Sequence, residues 1–293
     1  MALTDPAFVA IQVLNAFQLA SLLFLLSVGL SVVFGLMNFI NLAHGTLYMV
    51  GAYVGYAVAQ ASGSFWLALV LAPVAVALLG AILHWLLLAR LQAANPMKQV
   101  LATFGLIFMG LDAVRWVWGS QSHGLEAPAG LDGSVTLLGQ TYPVYRLFVI
   151  AVGAAVAVGL YLVLERTRLG ARVRAGVDDR DMAAALGIDI GRLFFGVFCL
   201  GCGLAGLAGV VAAPVLSVYP GMNMSVLVLA LIVVVVGGPG SLSGAVIGSL
   251  LIALVQTFGQ VFAPALASVA IYAAMAIVLL VRPGGLIPLK GRS

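Results

Sequence analysis

The sequence predicts an all-α polytopic membrane protein of about eight or nine transmembrane helices, and three observations carry that prediction. Apolar residues make up 63% of the 293-residue chain and charged residues only 8%, whereas a soluble domain carries roughly 25% charged residues. Apolar runs of about 20 residues, long enough to cross a hydrocarbon core, recur along the whole chain. Charged, Gly-rich or Pro-containing breaks separate them.

The runs fall near residues 8–34, 44–60, 65–89, 99–118, 145–164, 193–214, 223–237, 243–262 and 264–281. The first follows a segment without Lys or Arg, so it reads as a retained span and not as a cleaved signal peptide. "NFINLAHGT" separates the first two runs, and "SGS" the second and third. Arg90, Pro96 and Lys98 mark the next break, and Trp118 with Gly119 closes the fourth run. A loop over 119–144 precedes the fifth run, and an Arg-rich segment over 165–192 follows it. Pro220 and Gly221 divide the sixth and seventh runs, "GGPGSLSG" the seventh and eighth, and Pro264 the last two. Nothing is left over for a separate soluble domain, so residues 1–293 read as one transmembrane domain.

Basic residues set the orientation, because Lys and Arg in short loops are retained in the cytoplasm. Residues 165–192 hold Arg166, Arg168, Arg172, Arg174, Arg180 and Arg192, and the third break and the tail add Arg90, Lys98, Arg282, Lys290 and Arg292. Only Arg115 and Arg146 lie elsewhere. With nine crossings the amino terminus faces outside and the carboxyl terminus the cytoplasm, and the loop 119–144 is external. The net charge of +4 is thereby a matter of topology, and nucleic acid is not an expected partner.

Inside the charged loop, "DDRDMAAALG" (178–187) reads as one short helix. Asp178 is a suitable N-cap, Asp179 and Asp181 place negative charge on the first turn, and Gly187 suits the C′ stop. Eight or nine residues span about 12 to 13 Å, too short to cross a bilayer. Composition leaves two readings open: an amphipathic linker helix, or a helix that docks another protein.

"DMAAALG" (181–187) resembles the EAA-x-x-x-G cytoplasmic motif of ABC importer permeases, with Asp181 in the place of Glu, Met182 in that of the first Ala, and Gly187 matching. "GLMNFINLAHGTLYMVGAYVG" (35–55), "RVRAGVDDRDMAAALGI" (172–188), "GLAGLAGV" (203–210), "GGPGSLSGAVIGSLLI" (237–252) and "LLVRPGGL" (279–286) extend the likeness over essentially the whole chain. Together they resemble the branched-chain amino acid ABC transporter permease family, in its LivH-like branch. The resemblance implies an ABC importer permease architecture in a prokaryotic cytoplasmic (inner) membrane. It implies a second related permease forming a heterodimer, two cytoplasmic ATPase subunits and an external substrate-binding protein. It places ATPase coupling on Asp181, Met182, Ala183, Ala184, Ala185, Leu186 and Gly187, within the loop 165–192. No cofactor is expected on this chain: no G-x-x-x-x-G-K-[ST] loop occurs in it, so ATP belongs to partner subunits.

Polar residues within the spans give further candidates. Asn38, Asn41 and His44 are spaced by three and would share a face if helical. They mark either a broken helix lining the translocation pathway or a turn between the first two spans. Asp112 and Arg115 form either a local pair at a helix end or an external gate. Cys199 and Cys202 sit in an apolar run and read as buried small residues, and His44, His84 and His123 lie on separate segments, so no metal site is expected. With no paired acid, base or nucleophile, catalysis by this chain is not expected. The rival to ATP-driven import is an ion-coupled secondary transporter, which needs an acid near the midplane; Asp112 is the only acid in a span.

Overall fold

Each apolar run becomes helix, because backbone in lipid must satisfy its own polar groups. The computed structural model describes residues 5–37, 41–91, 95–137 and 139–287. It begins with α1 (Pro6–Met37) and α2 (His44–Ser62). α3 (Phe65–Leu83) runs through a π-helical turn at His84–Leu88 into α4 (Ala89–Leu91). α5 (Pro96–Trp118) follows, then a small antiparallel hairpin of β1 (Ser134–Leu137) and β2 (Gln140–Pro143), with Val135 opposite Tyr142. α6 (Val144–Arg166) leads into α7 (Arg168–Asp178) and α8 (Arg180–Ala185). α9 (Ile190–Leu216), α10 (Met222–Gly237), α11 (Leu242–Phe262) and α12 (Ala267–Val281) complete the fold. Polar caps start several helices: Ser64 accepts from the Leu67 amide, Asn95 from Met97, and Ser241 from Gly244.

Seven of these segments are long and apolar enough to cross a membrane, fewer than the nine runs read from the sequence. α10 has only 16 residues, and α2 carries His44, Thr46, Tyr48, Tyr53, Tyr56 and Gln60 along its length. Both lie within the bundle, where polar side chains and short helices have protein neighbours instead of lipid.

α1 and α9 form the interior, their apolar stretches 72% and 67% buried. α9 packs against α1, α2 and α3, and α1 against α11. The perimeter is α3, α5, α6 and α12, whose large apolar side chains, Val70, Phe108, Val158 and Ile277 among them, point outward. A lipid-facing surface has that composition.

The bundle has two distinct ends. At one, the hairpin segment is pinned down: His123 and Val218 exchange backbone hydrogen bonds of 2.7 and 2.8 Å, and the His123 ring stacks on Tyr56 at 4.6 Å. There Arg146 donates to the Asn15 side chain at 2.9 Å, tying the start of α6 to the first half of α1. The segment 119–144, read from the sequence as a loop, therefore holds two short strands. At the other end lie α7, α8, the close of α3 and the turn between α10 and α11. Residue 287 lies at this second end, where the Ile287 amide donates to Gly237.

The Tyr145 hydroxyl donates to the Val211 carbonyl at 2.9 Å and joins α6 to α9. A hydrogen bond of this kind contributes about 0.5–1.5 kcal/mol net. Tyr145→Phe is expected to lower the detergent-solubilised melting temperature by about 2–4 °C per kcal/mol lost, read by fluorescence-detected thermal unfolding. An unchanged midpoint would show that the bond contributes nothing.

Candidate functional site

The short-helix segment over 178–187 is built from capping chemistry. The side chain of Asp179, in extended backbone, accepts from the Met182 amide at 2.9 Å and starts α8. Asp178, the sequence-level choice of cap, is instead the last residue of α7. α8 has six residues, shorter than expected, because α7 takes up the residues before it. Its far end closes as the motif of paired back-bonds: the Gly187 amide donates to Ala184 at 3.0 Å and the Ile188 amide to Ala183 at 3.1 Å. Gly187 sits at φ +84°, a conformation that side chains with a Cβ adopt only under strain.

Packing decides which residues this helix presents. Ala183 is 2% exposed and joins Val173, Ile190, Phe194 and Val197 in a small core beneath it. Met182 and Leu186, one turn apart, are 58% and 75% exposed on the free side. Ala184, Ala185 and Asp181 are exposed as well. Arg180 covers the Phe194 ring at 4.7 Å, and Asp189 caps α9 through the Arg192 amide while pairing with the Arg192 side chain at 3.0 Å. Flanking polar contacts thus hold an apolar knob on the end of the bundle.

The second candidate group lies in the interior. Asn38 lies outside the described residues. Asn41 is buried in the turn before α2, its side chain accepting from the Ala43 amide at 3.1 Å and its carbonyl from the His44 amide at 3.2 Å. His44 is 1% exposed, and its Nε2 lies 2.9 Å from the Leu26 carbonyl. A carbonyl only accepts, so Nε2 carries the proton. Leu26 lies about three turns back along α1 from Met37, so α2 starts well inside the bundle and not at its end. Asn41 lies in the turn before α2 and not on a helical face with His44.

A residue that sequence reasoning missed completes the interior group. Asn223, on the first turn of α10, is 1% exposed and donates to the Thr46 hydroxyl at 3.4 Å. Its Oδ1 is buried without a partner among the described residues. The two helix starts touch: a Cβ at Gly45 would press on the Asn223 carbonyl and lie 2.9 Å from Leu227 Cβ. The available signal was a polar residue two positions after Gly221, at the head of an apolar run.

Asp112 and Arg115 do not join either group. They pair with each other at 3.6 Å on the outward side of α5, with side chains 76% and 51% exposed. The acid on which ion coupling would depend therefore faces away from the interior. Among the described residues no three His, Cys, Asp or Glu side chains converge as a metal-binding set; Cys202 is buried and Cys199 partly so, both free thiols.

Comparison with known proteins fits this architecture. The chain is 27% identical to the high-affinity branched-chain amino acid transport system permease protein BraD of Pseudomonas aeruginosa, covering 94% of each. It is 24% identical to the LivH permease protein of the same description from Escherichia coli K12, again over 94% of each. A probable branched-chain amino acid transport permease protein LivH of Methanocaldococcus jannaschii is 28% identical over 81% of this chain and 77% of that one. Among solved structures, PsaBC from Streptococcus pneumoniae in complex with Fab shares the fold with a TM-score of 0.52 at 13% identity, covering 99% of this chain and 95% of that chain. The family described as branched-chain amino acid transport system / permease component matches residues 12–280, and the chain belongs to that family.

Proposed function

We propose that this chain is the membrane-spanning permease of a binding-protein-dependent ABC importer and that it passes branched-chain amino acids across the inner membrane. The family match over residues 12–280 carries this reading. Partner ATPases bind and hydrolyse ATP, and this chain binds no cofactor of its own. It is a multi-pass membrane protein and a transport component. The charge distribution supports a cytoplasmic position for the end with α7, α8, Arg90 and Arg282 and an external one for the hairpin end. The amino terminus is then external and the carboxyl terminus cytoplasmic.

In this reading Met182 and Leu186, with Asp181, Ala183, Ala184, Ala185 and Gly187 around them, form the knob that an ATPase subunit covers. Buried Ala183 ties the knob to Phe194 on α9, and α9 contacts α1, α2 and α3. Movement of α8 is transmitted to the interior helices in that order. ATP drives transport only through the difference in its interaction with the two access states. The interior polar residues Asn41, His44, Thr46 and Asn223 stand where a zwitterion leaves water, and the sparse polar lining lets it pass without tight binding. Selectivity then rests on the external binding protein, which delivers cargo to the hairpin end. Asp112 and Arg115 hold the outer end of α5 at the membrane interface, with Trp116 and Trp118 beside them.

The test is capture of the tagged chain from gently solubilised native membranes, followed by mass spectrometry. Recovery of two ATPase subunits and a second, related permease is the expected result. Recovery of the chain alone, with uptake that survives ATP depletion and collapses on addition of an ionophore, would overturn it in favour of ion coupling.

A further inference from the structure

A cavity of about 350 Å³ opens at the α7–α8 end, within the usual range of roughly 300–1,000 Å³ for small-molecule sites. Its walls come from four places: Val32 on α1, Glu165 on α6, Val173, Arg174 and Asp178 on α7, and Ser243 at the start of α11. Val32 and Val173 give it an apolar floor. Its rim carries both signs of charge. Arg174 pairs with Glu165 at 3.3 Å and also donates to the Leu164 carbonyl, at the close of α6. A guanidinium has five N–H groups, so donors remain for a further anion. The second Glu165 oxygen and the Asp178 carboxylate are acceptors on the same rim.

We infer that this cavity binds a free amino acid with an apolar side chain, its carboxylate on Arg174, its ammonium between Glu165 and Asp178, and its side chain on the floor of Val32 and Val173. Mixed charge above an apolar floor matches such a zwitterion better than an anion or a hydrocarbon alone. Because α7 forms one wall and runs directly into α8, an occupant ties the coupling element to α1, α6 and α11 and favours one arrangement of the end. On the cytoplasmic side the available ligand is the transported product, so the site restrains import as product accumulates. The choice of ligand rests on the proposed function; the cavity and its charges do not.

The test uses the complete importer in proteoliposomes holding ATP in the lumen, with binding protein and labelled leucine outside, so that only transporters with inward ATPases work. Raising unlabelled luminal leucine into the millimolar range is expected to reduce initial uptake by about 5-fold or more, the lower bound of ordinary coupling between sites. Ser243→Trp, which fills the cavity from an exposed position, and Asp178→Asn, which removes one ammonium acceptor, should each keep initial uptake but lose most of the inhibition. Normal uptake that luminal leucine leaves unchanged would overturn the site while leaving the transport reading intact. Equal inhibition of the parent and both variants would also overturn it. Absence of uptake for leucine, isoleucine and valine alike would remove the transport reading and this ligand together. Inhibition by luminal leucine is expected in phosphatidylcholine vesicles; slow uptake that appears only with phosphatidylethanolamine, and that luminal leucine does not deepen, would assign the cavity to a lipid headgroup and overturn the amino-acid site.

Discussion

Gly187→Glu is expected to abolish substrate uptake while leaving the permease folded in the membrane. Gly187 occupies φ +84° and a Cβ there would meet no neighbour within contact range, so the penalty of substitution is backbone strain alone. Holding a residue with a Cβ in that region costs about 1–3 kcal/mol. The relief available is local, since α8 has only six residues and its last turn can unwind. Unwinding breaks the Gly187 and Ile188 back-bonds and turns Leu186 out of line with Met182. Population of the docked knob then falls by roughly 5- to 150-fold for that range of energies. In the reconstituted importer this reads as lost uptake and lost stimulation of ATPase activity by loaded binding protein. Asn tolerates the left-handed region far better than other residues with a Cβ, so Gly187→Asn should keep most of the activity. Full, stimulated uptake by the glutamate variant would remove α8 from the coupling mechanism.

The stop at Gly187 was legible in the sequence because capping is local chemistry that acts within a few residues, whereas the N-cap was read one residue early, at Asp178 in place of Asp179. The choice between Asp178 and Asp179 was not local. Either can cap, and what decided it was α7, an amphipathic helix that buries Gly170, Val173 and Gly176 and runs on through Asp178. The spans were legible from hydropathy, since lipid imposes one rule on every helix that faces it. Their ends moved by a few residues, to Pro96 for the fourth and Ile190 for the sixth. α10 and α2 were read at nearly their observed bounds, but hydropathy did not show that protein, not lipid, surrounds α10 and the start of α2. The contact between Asn223 and Thr46 joins residues 177 apart in the chain, and no local pattern encodes such a pairing. The hairpin was missed for a different reason: its strands have four residues each, too few for an alternation to stand out beside membrane spans.

Gly209→Ala is expected to destabilise the bundle more than any other single methyl added along α9, and Gly196→Ala on the same helix to leave it unharmed. α2 and α9 lie side by side in parallel, with Gly51 against Gly206 and Gly55 against Val210, which brings their backbones together as small residues permit in membranes. A Cβ at Gly209 would press directly on the Tyr48 carbonyl oxygen and stand 2.7 Å from the Ala52 nitrogen. Neither atom can move without displacing α2. Overpacking usually costs about 1–3 kcal/mol; a clash with backbone of a buried helix belongs at the upper end or beyond it. Displacement of α2 also disturbs its interior start, where His44 meets Leu26 and Thr46 meets Asn223, so transport should fall with stability. A Cβ at Gly196 meets nothing within 4 Å, and there alanine gains up to about 1 kcal/mol in helix propensity. Opposite shifts of the thermal midpoint in the two variants are the expected outcome. Equal shifts would mean that helix propensity, and not the approach of α2 to α9, sets the response of this helix to an added methyl group.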